Sequence, residues 1–189
     1  TELAWRNELA REGEVIHRYR EAYVAALAPR VQQIADWLLP GLGASCLTHR
    51  PGWQAGSHGL EEALARNLDT DRRLGFTGLG PHRAGWSLLF DHLPQREMYS
   101  RGQAKLASML MLLAQVSQFI DARGEPPVLG LDDALAELDA GNQRRLVEYL
   151  QQHGIQSLLA SADQSAVERL AGRPEDVFHV EQGRLRRQL

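Results

Sequence analysis

Two stretches of this chain combine residue types that handle phosphate and divalent metal. The first is Ser100-Arg101-Gly102-Gln103-Ala104-Lys105, which opens a long apolar-periodic run. A serine at a helix N-cap stands in front of backbone N–H groups that lack intrahelical acceptors, at the positive end of the helix dipole. Together these make an anion site. Gly102 lets a phosphate approach the backbone closely. The same residues also spell a capping box, because Ser100 followed three positions later by Gln103 is the S-x-x-Q pattern that starts helices. The two readings are compatible, since a capped helix start can still receive a phosphate from another subunit.

The second stretch is Val128-Leu129-Gly130-Leu131-Asp132-Asp133. An apolar strand ending in two carboxylates puts them at the C-terminal edge of a parallel sheet, where α/β folds bind ligands. One carboxylate can hold Mg²⁺ through water while the next orients an attacking water. The plainer reading is a helix N-cap with a charge in the first turn. Gly130 weakens the strand, and Glu137-Leu138-Asp139 adds acid just before a helix at Asn142, with Asp139 or Gly141 as its cap.

The elements that must carry these residues follow from periodicity. Ile16, Tyr19, Tyr23, Leu27, Val31, Ile34 and Leu38 lie three or four apart, which is one face of an amphipathic helix. Pro29 predicts a kink there, or a second helix starting nearby. Residues 44–59 read as a short strand or loop around Trp53, and Leu60–Thr70 as a helix. Leu74–Thr77 and Trp86–Phe90 read as short strands flanking the turn-rich Gly78-Leu79-Gly80-Pro81. Gln103–Asp121 is a helix with Leu106, Met109, Leu110, Leu113 and Val116 on one side. Beyond it, apolar Val128–Leu131, helical Asn142–Gln152, apolar Gln156–Ala160, helical Ser165–Leu170 and a strand at Val177–Val180 alternate. Strands alternating with helices of about ten residues imply βα units and a buried parallel sheet. The expected fold class is α/β. A mainly helical lobe with a few short strands is expected over 1–95 and the α/β half over 96–189, with the boundary near Arg96.

The order of the two chemical stretches is more specific than either alone. Ser-Arg-Gly-Gln-x-Lys, then about 30 residues later Asp-Asp-x-x-x-Glu-Leu-Asp, resembles the RecF family of ABC-type ATPases. Thr77-Gly78-Leu79-Gly80-Pro81-His82-Arg83 matches a third stretch of that family, and the likeness covers essentially the whole chain. The resemblance implies the C-terminal half of a P-loop ABC-type head. In it Ser100, Arg101, Gly102 and Gln103 form the signature that contacts ATP in trans, and Asp132 and Asp133 form the catalytic Walker B pair, with Asp132 on Mg²⁺. Glu137 and Asp139 belong to the D-loop. It further implies an ATP-dependent homodimer that acts on single-strand/double-strand DNA junctions with RecR, assists the RecA pathway in gap repair, and resides in the cytoplasm at the nucleoid. Three departures stand out. Gly85-Trp86 replaces the acid usual after Arg-Ala, Gly130 interrupts the aliphatic strand, and Ser161-Ala162-Asp163 stands where ABC transporters carry a switch histidine.

One absence is independent of any family. A Walker A motif needs G-x-x-x-x-G-K-[ST]. Twenty of the 21 basic residues are arginine, and the one lysine, Lys105, precedes Leu106, so the motif occurs nowhere in the 189 residues. The chain alone is therefore expected neither to bind ATP tightly nor to hydrolyse it, and the family's Walker A position near the N-terminus of the full protein implies a fragment or one part of a split protein. Net charge is −3, with 13 basic and 12 acidic residues over 1–105 against 8 and 12 beyond, so any DNA contact must come from local arginine clusters. No apolar run approaches the roughly 20 residues of a membrane span. The start lacks the pattern of a signal peptide, and the single Cys46 has no internal disulfide partner. The seven histidines show no zinc spacing, His82 reads as structural before catalytic, and Arg184-Leu185-Arg186-Arg187 could touch phosphates but reads first as a solvated tail. Two other functions compete. One is a DNA-binding or scaffold module that keeps the fold without nucleotide. The other, a metal-dependent hydrolase built on Asp132, Asp133 and Asp139, has less support because no histidine accompanies them.

Overall fold

The computed structural model describes residues 2–92, 99–170 and 177–187. The chain forms two compact units, Thr1–Gln32 with Leu42–Leu93 and Gln33–Gly41 with Pro94–Leu189. The boundary expected at Arg96 lies outside the described residues.

A single helix, α1 (Glu2–Leu38), runs through Pro29 without a break in its assignment. Proline removes one backbone donor, the one that would bond the Ala25 carbonyl, and one residue on the Arg30 guanidinium donates to the carbonyl of Ala26 (2.6 Å). Leu27, Val31, Ile34 and Leu38 are buried as the periodicity predicts, but Ile16, Tyr19 and Tyr23 are exposed, Tyr19 to 75%. The buried line of the N-terminal turns passes instead through Ala10 and Gly13, which a search for large apolar residues overlooks. A Cβ at Gly13 would run into the side chain of Leu60. Small residues there let α1 approach the cluster of Ala10, Trp53, Leu60 and Leu64.

Strands β1 (Ser45–Arg50) and β2 (Gly85–Phe90) pair antiparallel from Ser45↔Phe90 to Arg50↔Gly85, turning Leu47, Leu88 and Phe90 inward. Between them lies α2 (Leu60–Leu74). The strand expected over Leu74–Thr77 does not form. Gly75 adopts the left-handed conformation (φ 77°) and donates its N–H to Asp71, closing α2. The apolar alternation of Leu74 and Phe76 is thus a helix end and an exposed loop residue. The Gly-Pro-His-Arg stretch follows as a short 3₁₀ turn over Pro81–Arg83. The Asp71 carboxylate receives the Gly78 N–H (2.9 Å), and His82 bonds the Thr77 carbonyl (2.9 Å). His82 is thus hydrogen-bonded within its own loop.

The second unit is α/β. Its long helix α3 (Arg101–Arg123) buries Leu106, Met109, Leu110, Leu113 and Val116, each worth about 1.5–3 kcal/mol if fully withdrawn from water. Strand β3 (Leu129–Asp132), helix α4 (Ala140–Gln152) and strand β4 (Ser157–Ala160) form a β-α-β unit, with the strands parallel from Leu129↔Ser157 to Asp132↔Ala160. Helix α5 (Gln164–Leu170) follows. The residues expected as a solvated tail form a strand: β5 (Phe178–Glu181) and β6 (Arg184–Arg187) make a hairpin. Its turn residues Gln182 (φ 48°) and Gly183 (φ 75°) are both left-handed, as a two-residue type I′ turn requires.

Parallel strands are ordinarily covered on both faces. Here Leu158 on β4 is 68% exposed, Val128 before β3 is 62% exposed, and nothing lies within 4 Å of a Cβ built on Gly130. Among the described residues, no helix is long and apolar enough to cross a membrane.

Candidate functional site

All eight residues singled out from the sequence lie in the second unit, at the start of α3 and along the segment joining β3 to α4. Ser100 is the N-cap of α3 and builds both halves of the capping box. Its hydroxyl accepts from the Gln103 N–H (3.2 Å), and the Gln103 side-chain carbonyl accepts from the Ser100 N–H (2.9 Å). The capping reading is therefore realised. It does not use up the helix end. The first backbone bond within the turn runs from the Ala104 N–H to the Ser100 carbonyl (2.9 Å), so the N–H groups of Arg101 and Gly102 stand ahead of the ladder. The Ser100 hydroxyl hydrogen remains able to donate, and Ser100 is exposed. Two backbone donors and one hydroxyl, at a dipole's positive end, are a donor set suited to phosphate oxygens.

Gly102 has a second, intramolecular reason to be glycine. A Cβ there would lie 3.0 Å from the carbonyl oxygen of Glu137, tighter than ordinary packing. The start of α3 and the Glu137 segment are thus in close backbone contact. Arg101 reaches toward the same residue, 3.9 Å from the Glu137 carboxylate, with its side chain 91% exposed. An ion pair that long and that exposed stabilises little. The Arg101 guanidinium remains at the surface beside the two backbone donors.

Asp132 is the last residue of β3 and is exposed at the C-terminal end of the parallel pair. Asp133 follows with φ 51°, a left-handed conformation that costs a non-glycine residue on the order of 1 kcal/mol. Both sides of its peptide backbone are held. Its N–H donates to Ala160 at the end of β4 (2.9 Å), and its carbonyl accepts from the Ala136 N–H (3.2 Å) and from the Lys105 ammonium of α3. Its carboxylate is exposed. The plainer alternative, in which one of this pair caps the next helix, is not what the chain does. Asp139 fills that role, accepting the Asn142 N–H (2.9 Å) and side-chain amide (2.6 Å). Asp132 and Asp133 are left without a capping task.

Glu137 is also left-handed (φ 63°), which turns the chain from the buried Ala134 and Leu135 back toward Leu138 and the α4 cap. That turn is latched by a residue the sequence reading missed. Gln143 is the one buried polar side chain among the described residues, 6% exposed, and its amide donates to the carbonyls of Leu135 (2.9 Å) and Leu138 (3.2 Å). The Leu135 carbonyl also accepts the Leu138 N–H (3.4 Å), so the Gln143 amide reinforces a turn that already has one backbone bond. No periodicity marks Gln143, because a glutamine three residues into a helix is usually solvated.

A single carboxylate at a strand end, with oxygens supplied by phosphates, is the usual setting of Mg²⁺. Asp132 fits that description. No group of three or more His, Cys, Asp or Glu among the described residues is placed to hold a metal by protein ligands alone. At the third position of interest, the Asp163 carboxylate takes the hydroxyl of Ser165 (2.7 Å) and the N–H of Ala166 (3.1 Å), bonds that hold it below the usual carboxylate range. It is a helix cap.

Three comparisons with known proteins bear on the chain's family and fold. No protein-family profile matches the chain. It is 41% identical over 185 residues to the DNA replication and repair protein RecF of Xanthomonas euvesicatoria pv. vesicatoria (strain 85-10), covering 98% of this chain and 50% of that protein. The chain thus spans about half the length of the curated relatives it matches. Its fold matches a solved structure of the recombination mediator protein RecF with ATP, of the RecFOR pathway, with a TM-score of 0.74 at 21% identity over 99% of this chain and 50% of that one. It also matches a structure from work on ATP-driven dimerization and DNA-stimulated activation of SMC ATPases, with a TM-score of 0.55 at 14% identity over 90% of this chain and 86% of that one.

Proposed function

The chain belongs to the RecF family, corresponding to the C-terminal half of its members, and from that premise we propose that it supplies the signature and Walker B parts of an ATP-dependent DNA-repair ATPase that works as a pair of heads. The α3 start of one head binds the γ-phosphate of ATP held on the other head, through the Ser100 hydroxyl and the N–H groups of Arg101 and Gly102. Asp132 holds Mg²⁺, Asp133 orients the attacking water, and the Glu137–Asp139 turn lies beside the signature as the D-loop. ATP bound between the heads supplies the phosphoryl group and, with Mg²⁺, the charge that draws the two helix ends in. Pairing in turn organises the protein on single-strand/double-strand DNA junctions, with RecR as partner and RecA loading as the outcome.

The observation that carries this reading is the adjacency of the α3 start to the segment after β3, with a donor-rich helix end and an uncommitted carboxylate pair in one unit. Two further features support it. The exposed Val128 and Leu158 leave one side of β3 and β4 open, as expected if the half that carries the P-loop covers it. The chain also has no Walker A sequence of its own.

The purified 189-residue chain should therefore show no Mg²⁺-dependent ATP turnover and no tight nucleotide binding. Full-length protein should show both, and should pair in sedimentation when ATP is added. Turnover by the chain alone that persists through further purification, or full-length protein that stays monomeric with ATP, would sink the proposal.

A further inference from the structure

We propose that Lys105 is a positioning residue that ties the signature helix to Asp133, so that a phosphate captured at Ser100 is felt by the carboxylate that orients water. The inference rests on the roles given to Ser100 and Asp133 above, and adds the element that connects them.

Three contacts join the first turns of α3 to the residues after β3. Lys105 donates to the Asp133 carbonyl, Gly102 abuts the Glu137 carbonyl, and Arg101 faces the Glu137 carboxylate. Positions 101, 102 and 105 lie on one side of the helix, because residues three and four apart are neighbours there. Of the three, the Lys105 bond acts most directly on the proposed chemistry, since it grips the peptide of the catalytic candidate itself. Asp133 sits in the left-handed region, uncommon for a non-glycine residue though more accessible to aspartate than to most. The Ala160 carbonyl fixes its N–H, while Lys105 and Ala136 fix its carbonyl. Removing Lys105 withdraws the one side-chain restraint among these, and with it the bond that runs back to the phosphate-binding helix.

The residue type fits the task. This chain uses arginine at every other basic position. A lysine ammonium is a compact head with three donors on a flexible stem, suited to reaching one backbone carbonyl, whereas a guanidinium is a planar fork matched to carboxylate and phosphate. Lys105 is read as a coupler rather than as a contact to ATP, because its ammonium is engaged with the Asp133 carbonyl.

The test is Lys105→Met in full-length protein, alongside Lys105→Arg and Asp133→Asn. We expect Lys105→Met to keep ATP-driven pairing and to leave KM within about twofold, while kcat falls about tenfold, as for an interaction made chiefly in the transition state. Amides of Ala134–Leu138 should exchange with solvent faster than in wild type, with the rest of α3 and α4 unchanged. Lys105→Arg, which keeps a cationic donor but in a planar fork poorly matched to a single carbonyl, should recover kcat only in part, to a value between those of Lys105→Met and wild type. Wild-type turnover in Lys105→Met with an inactive Asp133→Asn would overturn the coupling and leave the site reading intact. Wild-type turnover in both would overturn the site reading itself. A loss of pairing with kcat per dimer unchanged would show Lys105 to be only a support of α3, which also overturns the proposal.

Discussion

Ser100→Arg is expected to leave nucleotide binding to a single head within about twofold of wild type, yet to weaken ATP-driven pairing by about a thousandfold or more. The magnitudes separate this outcome from damage to the helix. Losing an N-cap costs about 1 kcal/mol, and Arg101 to Arg123 continue as a long helix with a buried face that does not depend on the cap. Charge-assisted bonds to a phosphate are worth about 1.5–3 kcal/mol each. Two-fold pairing repeats every loss at the second composite site. The bulk of an arginine at the cap fills the place of the γ-phosphate and screens the Arg101 and Gly102 N–H groups from it. Sedimentation with and without ATP, together with a thermal melt, checks both halves: pairing should vanish while the melt moves only slightly. A variant that still dimerises with ATP would make Ser100 a helix cap and nothing more.

Asp133→Asn is expected to slow hydrolysis by about 10²–10⁴-fold, the range attributed to a positioned general base, with ATP binding and pairing retained. Asparagine is the informative replacement because it tolerates the left-handed backbone better than most residues. The φ of 51° and the bonds to Ala160, Ala136 and Lys105 should all survive, leaving the loss of carboxylate charge as the only change. Asp132→Asn should behave differently, weakening Mg²⁺-dependent nucleotide binding. Single-turnover hydrolysis and nucleotide titrations on each variant distinguish them. Equal loss of binding and hydrolysis at Asp133 would mean that the two carboxylates have been assigned the wrong way round.

Much of this site was readable before any coordinates, for a physical reason. Ser100-Arg101-Gly102-Gln103 and Leu131-Asp132-Asp133 are local arrangements, in which a cap and a strand end are each fixed by adjacent residues. The alternation of the second unit was legible too, because buried strands and amphipathic helices leave distinct periods. What stayed hidden depends on residues far apart in sequence or on small side chains. Gly13 and Ala10 bury the N-terminal turns of α1 by being small, so the visible stripe of Ile16, Tyr19 and Tyr23 pointed to the wrong face. Gln143 and Lys105 bond to carbonyls, which have no sequence signal. The hairpin at 178–187 was missed because three arginines in four residues look solvated. They are solvated, on a strand whose turn is set by Gln182-Gly183.

If the Ser100 helix completes an ATP site on a facing head, mixing two inactive full-length variants should restore turnover. Ser100→Arg has a sound carboxylate pair and a blocked signature; Asp133→Asn has the reverse. In a mixed pair, one composite site joins the two sound parts and the other joins the two damaged ones. Ser100→Arg does not pair with itself, whereas a mixed pair keeps one of the two composite sites. At protein and ATP concentrations high enough to form mixed pairs, turnover should therefore rise from near zero toward, at most, about half of wild type per mixed pair. If the mixture stays as inactive as its separate components under conditions where mixed pairs form, the signature does not act across the pair, and Ser100 does not complete an ATP site on the facing head.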